Sequence, residues 1–219
     1  MYKKKPLFVT FEGIEGSGKS YQASKLFKNL KKKNIQAILT REPGGTASAE
    51  KIRKVLLDDY FHKNSKEQFD KYTDTLLYLA ARNEHVKNKI KPSIIKKKIV
   101  ICDRFVDSTA AYQVHGKGID KKFVQTIHKY ILGNLKPDLT FLLKVNINKA
   151  LKRLNKRKKK NRYDKFSKNF YEKVQKAFIK IAKKNKKRYF VIDNSKDSNN
   201  VEIQILNKLI KALNNGWRY

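Results

Sequence analysis

Cysteine is almost absent from this 219-residue chain: Cys102 stands alone, which excludes an internal disulfide framework. It lies in the apolar segment Ile99-Val100-Ile101-Cys102 and reads as a reduced, buried thiol. Proline and glycine are sparse, at 4 and 9 residues, and there is neither a Ser- or Gln-rich tract nor a repeat of solenoid period, so nothing marks a linker or an array. No apolar run approaches the ~20 residues that a membrane span needs. The basic start, residues 1–5, leads into an apolar run too short for a signal-peptide core. Acidic side chains are outnumbered, 19 against 53 Lys and Arg, for a formal charge of +34. That excess attracts polyanions in general, whether nucleic acid, an anionic membrane surface or phosphorylated small molecules. Because the lysines are spread along the whole chain, most are read as solvated surface. The length suits one well-buried core, so a single domain over 1–219 is expected, soluble and cytoplasmic.

What is present is an alternation of two periods. Apolar runs bounded by turn residues, at 7–11, 35–40, 99–102, 139–145 and 189–192, read as strands. Between them, 19–33, 47–57, 74–90, 121–132, 170–182 and 201–213 carry apolar residues at helical spacing. This predicts an α/β fold, a five-stranded parallel sheet flanked by helices. Asp120 suits the cap of the helix at 121, and Gly133 its end. The stretch 152–162, KRLNKRKKKNR, has eight Lys or Arg in eleven positions and is expected as an exposed, mobile segment between elements.

The first strand runs into Gly13-Ile14-Glu15-Gly16-Ser17-Gly18-Lys19-Ser20, which matches G-x-x-x-x-G-K-[ST] with a strand before it and a helix after it. Such a P-loop wraps its backbone N–H groups around phosphate oxygens, and the following helix adds its positive end. Lys19 then reaches the β/γ-phosphates of ATP or GTP, and Ser20 offers its hydroxyl to Mg²⁺. Glu15 is a carboxylate in a loop built for anions; it faces either solvent or a second ligand beyond the γ-phosphate. Two further clusters follow strands, where parallel sheets present their ligand-binding residues. Thr40-Arg41-Glu42-Pro43-Gly44-Gly45-Thr46 forces a specific turn, with Arg53 two helical turns beyond. It is either a second phosphate site or a plain turn with a surface arginine. Asp103 and Arg104 form either a buried structural pair or a magnesium-water ligand beside a cation bridging two phosphates.

The segments FEGIEGSGKS, TREPGGT, LLYLAAR, CDRFVDSTAAYQ with its following GKGID, and KPDLTFLL, in this order and spacing, resemble bacterial thymidylate kinase over nearly the whole chain. The P-loop alone is widespread, whereas TREPGGT with the DRF, DST and AYQ segments is close to diagnostic. The resemblance implies transfer of the γ-phosphoryl group of ATP to dTMP with Mg²⁺, and a homodimer. It implies a P-loop kinase domain of three layers with a short basic lid at about 152–166, and no specific nucleic-acid or membrane partner. By matching motif positions, Tyr78 stands where the family stacks an aromatic ring on thymine, and Arg82 where an arginine bonds the base edge. Thr109 and Gln113 match positions that read the base, and Tyr112 the tyrosine that crowds the sugar 2′ position. Arg53 and Arg104, with Arg41 nearby, match the acceptor-phosphate cations, and Glu15 the acidic residue facing the acceptor sugar.

Some family members place an arginine in the P-loop at the position of Gly16, and others supply it from the lid. Asn161-Arg162-Tyr163-Asp164 resembles the lid motif, so Arg162 is the candidate to close over ATP, with Arg153 and Arg157 as rivals. Residues 193–196 are the candidate adenine contact. Two other readings stand beside this one. A nucleoside monophosphate kinase of other base preference is opposed by Tyr78, Arg82 and Gln113. A nucleic-acid-binding P-loop ATPase, suggested by the charge and by KRLNKRKKKNR, leaves the DRF, DST and AYQ residues without a role.

Overall fold

The segment Phe8–Glu12 is buried throughout, as a strand with neighbours on both edges and helices on both faces must be. It is β1, the centre of an all-parallel sheet of order β2-β3-β1-β4-β5, with β2 Ala37–Arg41, β3 Ile99–Asp103, β4 Leu139–Lys144 and β5 Tyr189–Asp193. The computed structural model describes residues 6–57, 69–158, 161–195 and 199–214. Residues 1–5 and Lys159, Lys160 and Lys196 of the stretches read above lie outside them. The register sets Phe11 beside Asp103 on one edge and Phe141 on the other, so the strands end together and their last residues share one rim. Thr10 would leave a hydroxyl alone in the core, but Thr140 lies opposite and the two Oγ atoms share a hydrogen bond of 2.8 Å.

The helices are α1 Lys19–Lys32, α2 Ala47–Leu57, α3 Lys71–His85, α4 Lys91–Ile95, α5 Val106–Thr109, α6 Lys121–Leu132, α7 Ile147–Asn155, α8 Lys168–Lys184 and α9 Asn199–Asn214. On one sheet face α1 and α9 pack Leu26, Leu30, Ile205 and Leu209 against Val9, Phe11 and Phe141. On the other, α7 and α8 bring Ala150, Leu154, Tyr171, Val174 and Phe178 onto Leu142. The alternation of Phe141 and Leu142 between the two clusters is the strand period itself. No helix among the described residues is long and apolar enough to cross a membrane.

Asp120 and Gly133 bound α6 as their chemistry dictates: the Asp120 carboxylate accepts the Lys122 N–H at 2.8 Å, and Gly133 turns out of the helix at φ 57°. The helix expected over 74–90 differs. Asp70 accepts the Tyr72 N–H at 2.7 Å and starts α3 a turn earlier. After His85 the backbone widens into a π-helical turn, Val86–Ile90, and a second such stretch, Ala110–Gly116, follows α5. The basic stretch is not one exposed segment. Residues 152–155 complete α7 because Leu151 and Leu154 pack into the core, and Arg162–Lys165 form a 3₁₀ turn closed by Asn161 and Asp164 capping each other's backbone.

Phe141 is fully buried, its ring centroid 5.1 Å from that of Phe11 and 6.1 Å from that of Phe190. Phe141→Ala is expected to destabilise the fold by about 3–5 kcal/mol, seen as a lower urea midpoint. An unmoved midpoint would contradict this packing.

Candidate active site

The turn from β1 into α1 is shaped by glycines in left-handed conformation, Gly16 at φ 72° and Gly18 at φ 87°. A Cβ on Gly16 would lie 2.6 Å from the Ala150 carbonyl oxygen of α7. Backbone presses on backbone there, which leaves no room for a side chain at this position. Lys19 folds back and donates to the Ile14 carbonyl at 3.0 Å. Burial, and then the Arg104 charge, lower its pKa to about 8. The Ser20 hydroxyl donates to Asp103 Oδ2 at the end of β3, while Asp103 Oδ1 is buried without a partner. A hydroxyl and an orphaned carboxylate oxygen beside a phosphate cradle fit Mg²⁺, which takes few protein ligands and keeps waters and phosphates as the rest. Among the described residues, no group of three or more His, Cys, Asp or Glu offers an all-protein cage.

Arg104 follows β3 in the left-handed region, φ 71°, which costs a non-glycine residue on the order of 1 kcal/mol or more. Its surroundings hold it there. The backbone N–H donates to the Phe11 carbonyl at 2.9 Å, and Nη1 donates to the Gly13 carbonyl and to Ser108 Oγ, both at 3.0 Å. Nη2 meets Glu15 Oε1 at 2.5 Å, and the Tyr112 hydroxyl donates to the other Glu15 oxygen. Burial works to lower the Arg104 pKa, but Glu15, Tyr112 and Asp103 outweigh it, and the guanidinium stays charged. Beneath it, Glu12 is fully buried and accepts from the Phe105 N–H at 2.8 Å and the Ser108 hydroxyl at 2.6 Å. Burial, and then Asp107, push the Glu12 pKa up to about 8.

β2 ends on Arg41, whose Nη2 donates to Glu50 at 2.8 Å, and Glu50 accepts the N–H of Gly45 in the turn that follows at 2.8 Å. Arg53, on α2, donates to the Pro43 carbonyl at 2.7 Å; burial and Arg41 lower its pKa. Both arginines face the same cleft as Glu15, Lys19, Ser20, Asp103 and Arg104. The same cleft is lined by Tyr78 and Arg82 of α3, and by Thr109, Tyr112 and Gln113 from α5 and the π-helical stretch. Burial raises the Tyr78 pKa, and the Tyr163 hydroxyl is its polar neighbour. All the side chains singled out from the sequence on these loops thus meet in one cleft.

The three lid arginines diverge. Arg153 donates to the Gly16 carbonyl at 3.0 Å and the Asn194 carbonyl at 3.2 Å, bracing the P-loop from outside. Arg157 lines the cleft and donates to Asp164 at 2.8 Å. Arg162 pairs with Asp74 of α3. Of the segment 193–196, Asn194 is buried and donates from Nδ2 to the Ser17 carbonyl at 2.7 Å, so it touches the loop itself; Lys196 lies outside the described residues.

Sequence reasoning passed over several buried partners. Glu42 binds Arg82 and His85, and Asp74 binds Arg162, Lys117 at 2.6 Å and the Tyr163 hydroxyl at 3.1 Å. Burial lowers the Lys117 pKa to about 8. Tyr163 lines the cleft edge-on to Tyr78, with centroids 5.8 Å apart. Glu42 and Tyr163 lie inside quoted motifs, which was the one signal available for them.

Residues 11–205 match the family model described as Thymidylate kinase. The chain is 40% identical over 209 residues to the thymidylate kinase of Mycoplasma capricolum, covering 94% of this chain and 96% of that protein. It is 42% identical over 209 residues to that of Wolbachia pipientis wMel, covering 93% and 100%. The crystal structure of thymidylate kinase from Ehrlichia chaffeensis superposes with a TM-score of 0.74 at 36% identity, over 93% of this chain and 98% of that one.

A Lys19 pKa of about 8 means that the ammonium is present below that pH and lost above it, whereas an ordinary lysine stays protonated toward 10.5. Affinity for a nucleoside triphosphate is therefore expected to weaken as pH rises past about 8, by up to roughly tenfold per unit. Titrations at pH 7, 8 and 9 should show this, and Lys19→Arg should flatten it. A flat profile in the unaltered protein would remove Lys19 from phosphate binding.

Proposed function

The chain belongs to the thymidylate kinase family, and from that membership we propose how its cleft transfers the γ-phosphoryl group of ATP to dTMP, giving dTDP and ADP. The observation that carries the proposal is the convergence, in one cleft, of the P-loop cations with Tyr78, Arg82, Thr109 and Gln113. The acceptor oxygen of a nucleotide 5′-phosphate is already anionic at neutral pH, its second pKa being about 6, so no strong base is required. What remains is neutralising charge and aligning the two phosphates.

In this reading the backbone of residues 13–18, with Lys19, cradles the donor. Arg41, Arg53 and Arg104 hold the acceptor phosphate, with Arg104 placed to bridge both. Glu15 faces the sugar 3′-hydroxyl, Tyr78 stacks on thymine, Arg82, Thr109 and Gln113 bond its edge, and Tyr112 crowds the 2′ position. Ser20 and Asp103 would hold Mg²⁺, Asp103 directly or through water, and the ion would neutralise charge on the donor phosphates. Arg162 leaves Asp74 and closes over ATP, and closure expels water that would hydrolyse it. We assign the same kinase a single domain over 1–219 with its lid at about 152–166, a homodimeric state, and the cytoplasm, where a chain with one cysteine is at home.

With ATP as donor, dTMP is expected to give the highest kcat/KM, about tenfold above dUMP and far above AMP and GMP. A purine monophosphate as the better acceptor would overturn the substrate assignment. Arg162→Ala should lower kcat by about a hundredfold, more than Arg153→Ala or Arg157→Ala. Equal, small losses in all three would mean that the lid acts as diffuse charge.

A further inference from the structure

Arg82 has five N–H donors, and protein atoms already engage all but one. Nε donates to Glu42 Oε2 at 2.7 Å, and Nη2 lies 2.6 Å from the same oxygen. Nη1 donates to Thr109 Oγ1 at 2.7 Å and meets His128 Nε2 at 2.8 Å. The cleft, which Arg82 lines, is left with the second N–H of Nη2. Both contacts to Glu42 end on one oxygen, so by themselves they let the guanidinium pivot about that point. Thr109 and His128, gripping the other terminal nitrogen, remove this freedom.

Glu42 and Thr109 belong to the turn after β2 and to the cleft wall. His128 belongs to neither: it sits on α6, in no phosphate or base motif, and it does not line the cleft. It can accept from Arg82 only with Nε2 unprotonated, since an imidazolium would present a donor to a donor. Burial, and then the Arg82 charge, push its pKa down to about 3, so the ring is neutral across the physiological range.

We propose that His128 is a positioning residue for Arg82: by accepting one Nη1 hydrogen opposite Thr109, it fixes the guanidinium plane so that the single uncommitted N–H is aimed at an oxygen on the edge of the acceptor base. The inference rests on the reading of Arg82 as a contact to that base. A fixed donor favours a pyrimidine with a keto oxygen at the position it meets over one with an amino group there, because the amino group sets donor against donor.

The test measures kcat and KM for dTMP, KM for ATP, and the dTMP/dCMP ratio of kcat/KM. His128→Leu is expected to raise the dTMP KM roughly tenfold and shrink the dTMP/dCMP ratio, with kcat within about twofold and the ATP KM unmoved. His128→Gln, which keeps an acceptor, should restore most of the dTMP KM. In an Arg82→Ala background, His128→Leu should add nothing further, because its effect runs through Arg82. A dTMP KM unchanged in His128→Leu while the melting temperature falls would reduce His128 to packing and overturn the proposal. So would an equal rise in both backgrounds, or a failure of His128→Gln to rescue. If Arg82→Ala itself leaves the dTMP KM unchanged, the reading of Arg82 fails, which is a different result from an inert His128→Leu beside a damaging Arg82→Ala. Should Arg82→Ala not fold, the His128→Leu and His128→Gln pair decides the question.

Discussion

A guanidinium and a carboxylate, Arg104 and Glu15, meet at 2.5 Å between the P-loop and the end of β3, and the cleft is organised about that contact. Removing either partner leaves a mostly buried charge that water solvates poorly, so each makes the other tolerable. The same guanidinium grips the Gly13 carbonyl and Ser108, which ties the phosphate loop to the turn after β3 and to α5. The central position of β1, paired with β3 on one edge and β4 on the other, brings these turns within reach of one another. A carboxylate in an anion-binding loop is therefore matched before any phosphate arrives.

The scarcity of acidic side chains takes on meaning at this site. Glu15, Glu42, Glu50, Asp74 and Asp164 each sit against an arginine of the cleft or of the basic stretch, while Glu12 lies fully buried beneath Arg104. Cations gathered in one cleft would otherwise repel one another, and the lowered pKa values of Lys19 and Arg53 record burial first and then the part of that repulsion that is left.

The strands, the P-loop and the two ligand turns were legible because each rests on local chemistry: period-2 apolar runs, glycines where the backbone turns left, and motif spacing. The π-helical stretches were not, because widening a helical turn by one residue leaves no mark on composition. Thr109 and Gln113, four apart, look like one face of an ordinary helix, and the structure places them on either side of the junction between α5 and a π-helical stretch. Asp74, His85 and His128 sit on helices at positions no different from solvent-facing ones in the sequence. Their meaning comes from partners 40 to 90 residues away, which periodicity does not encode. The basic stretch misled for the same reason: charge density predicted exposure, whereas Leu154 and Tyr163 within or beside it are buried.

The contact between Gly16 and the Ala150 carbonyl joins two characters that look separate in the sequence. A side chain introduced at Gly16 cannot be accommodated by a rotamer change, since its first atom meets helical backbone, and α7 would have to move. Because residues 152–155 are the last turn of α7, moving the helix would also shift Arg153, which donates to the Gly16 carbonyl. The loop glycine and the start of the basic stretch are thus under one steric constraint.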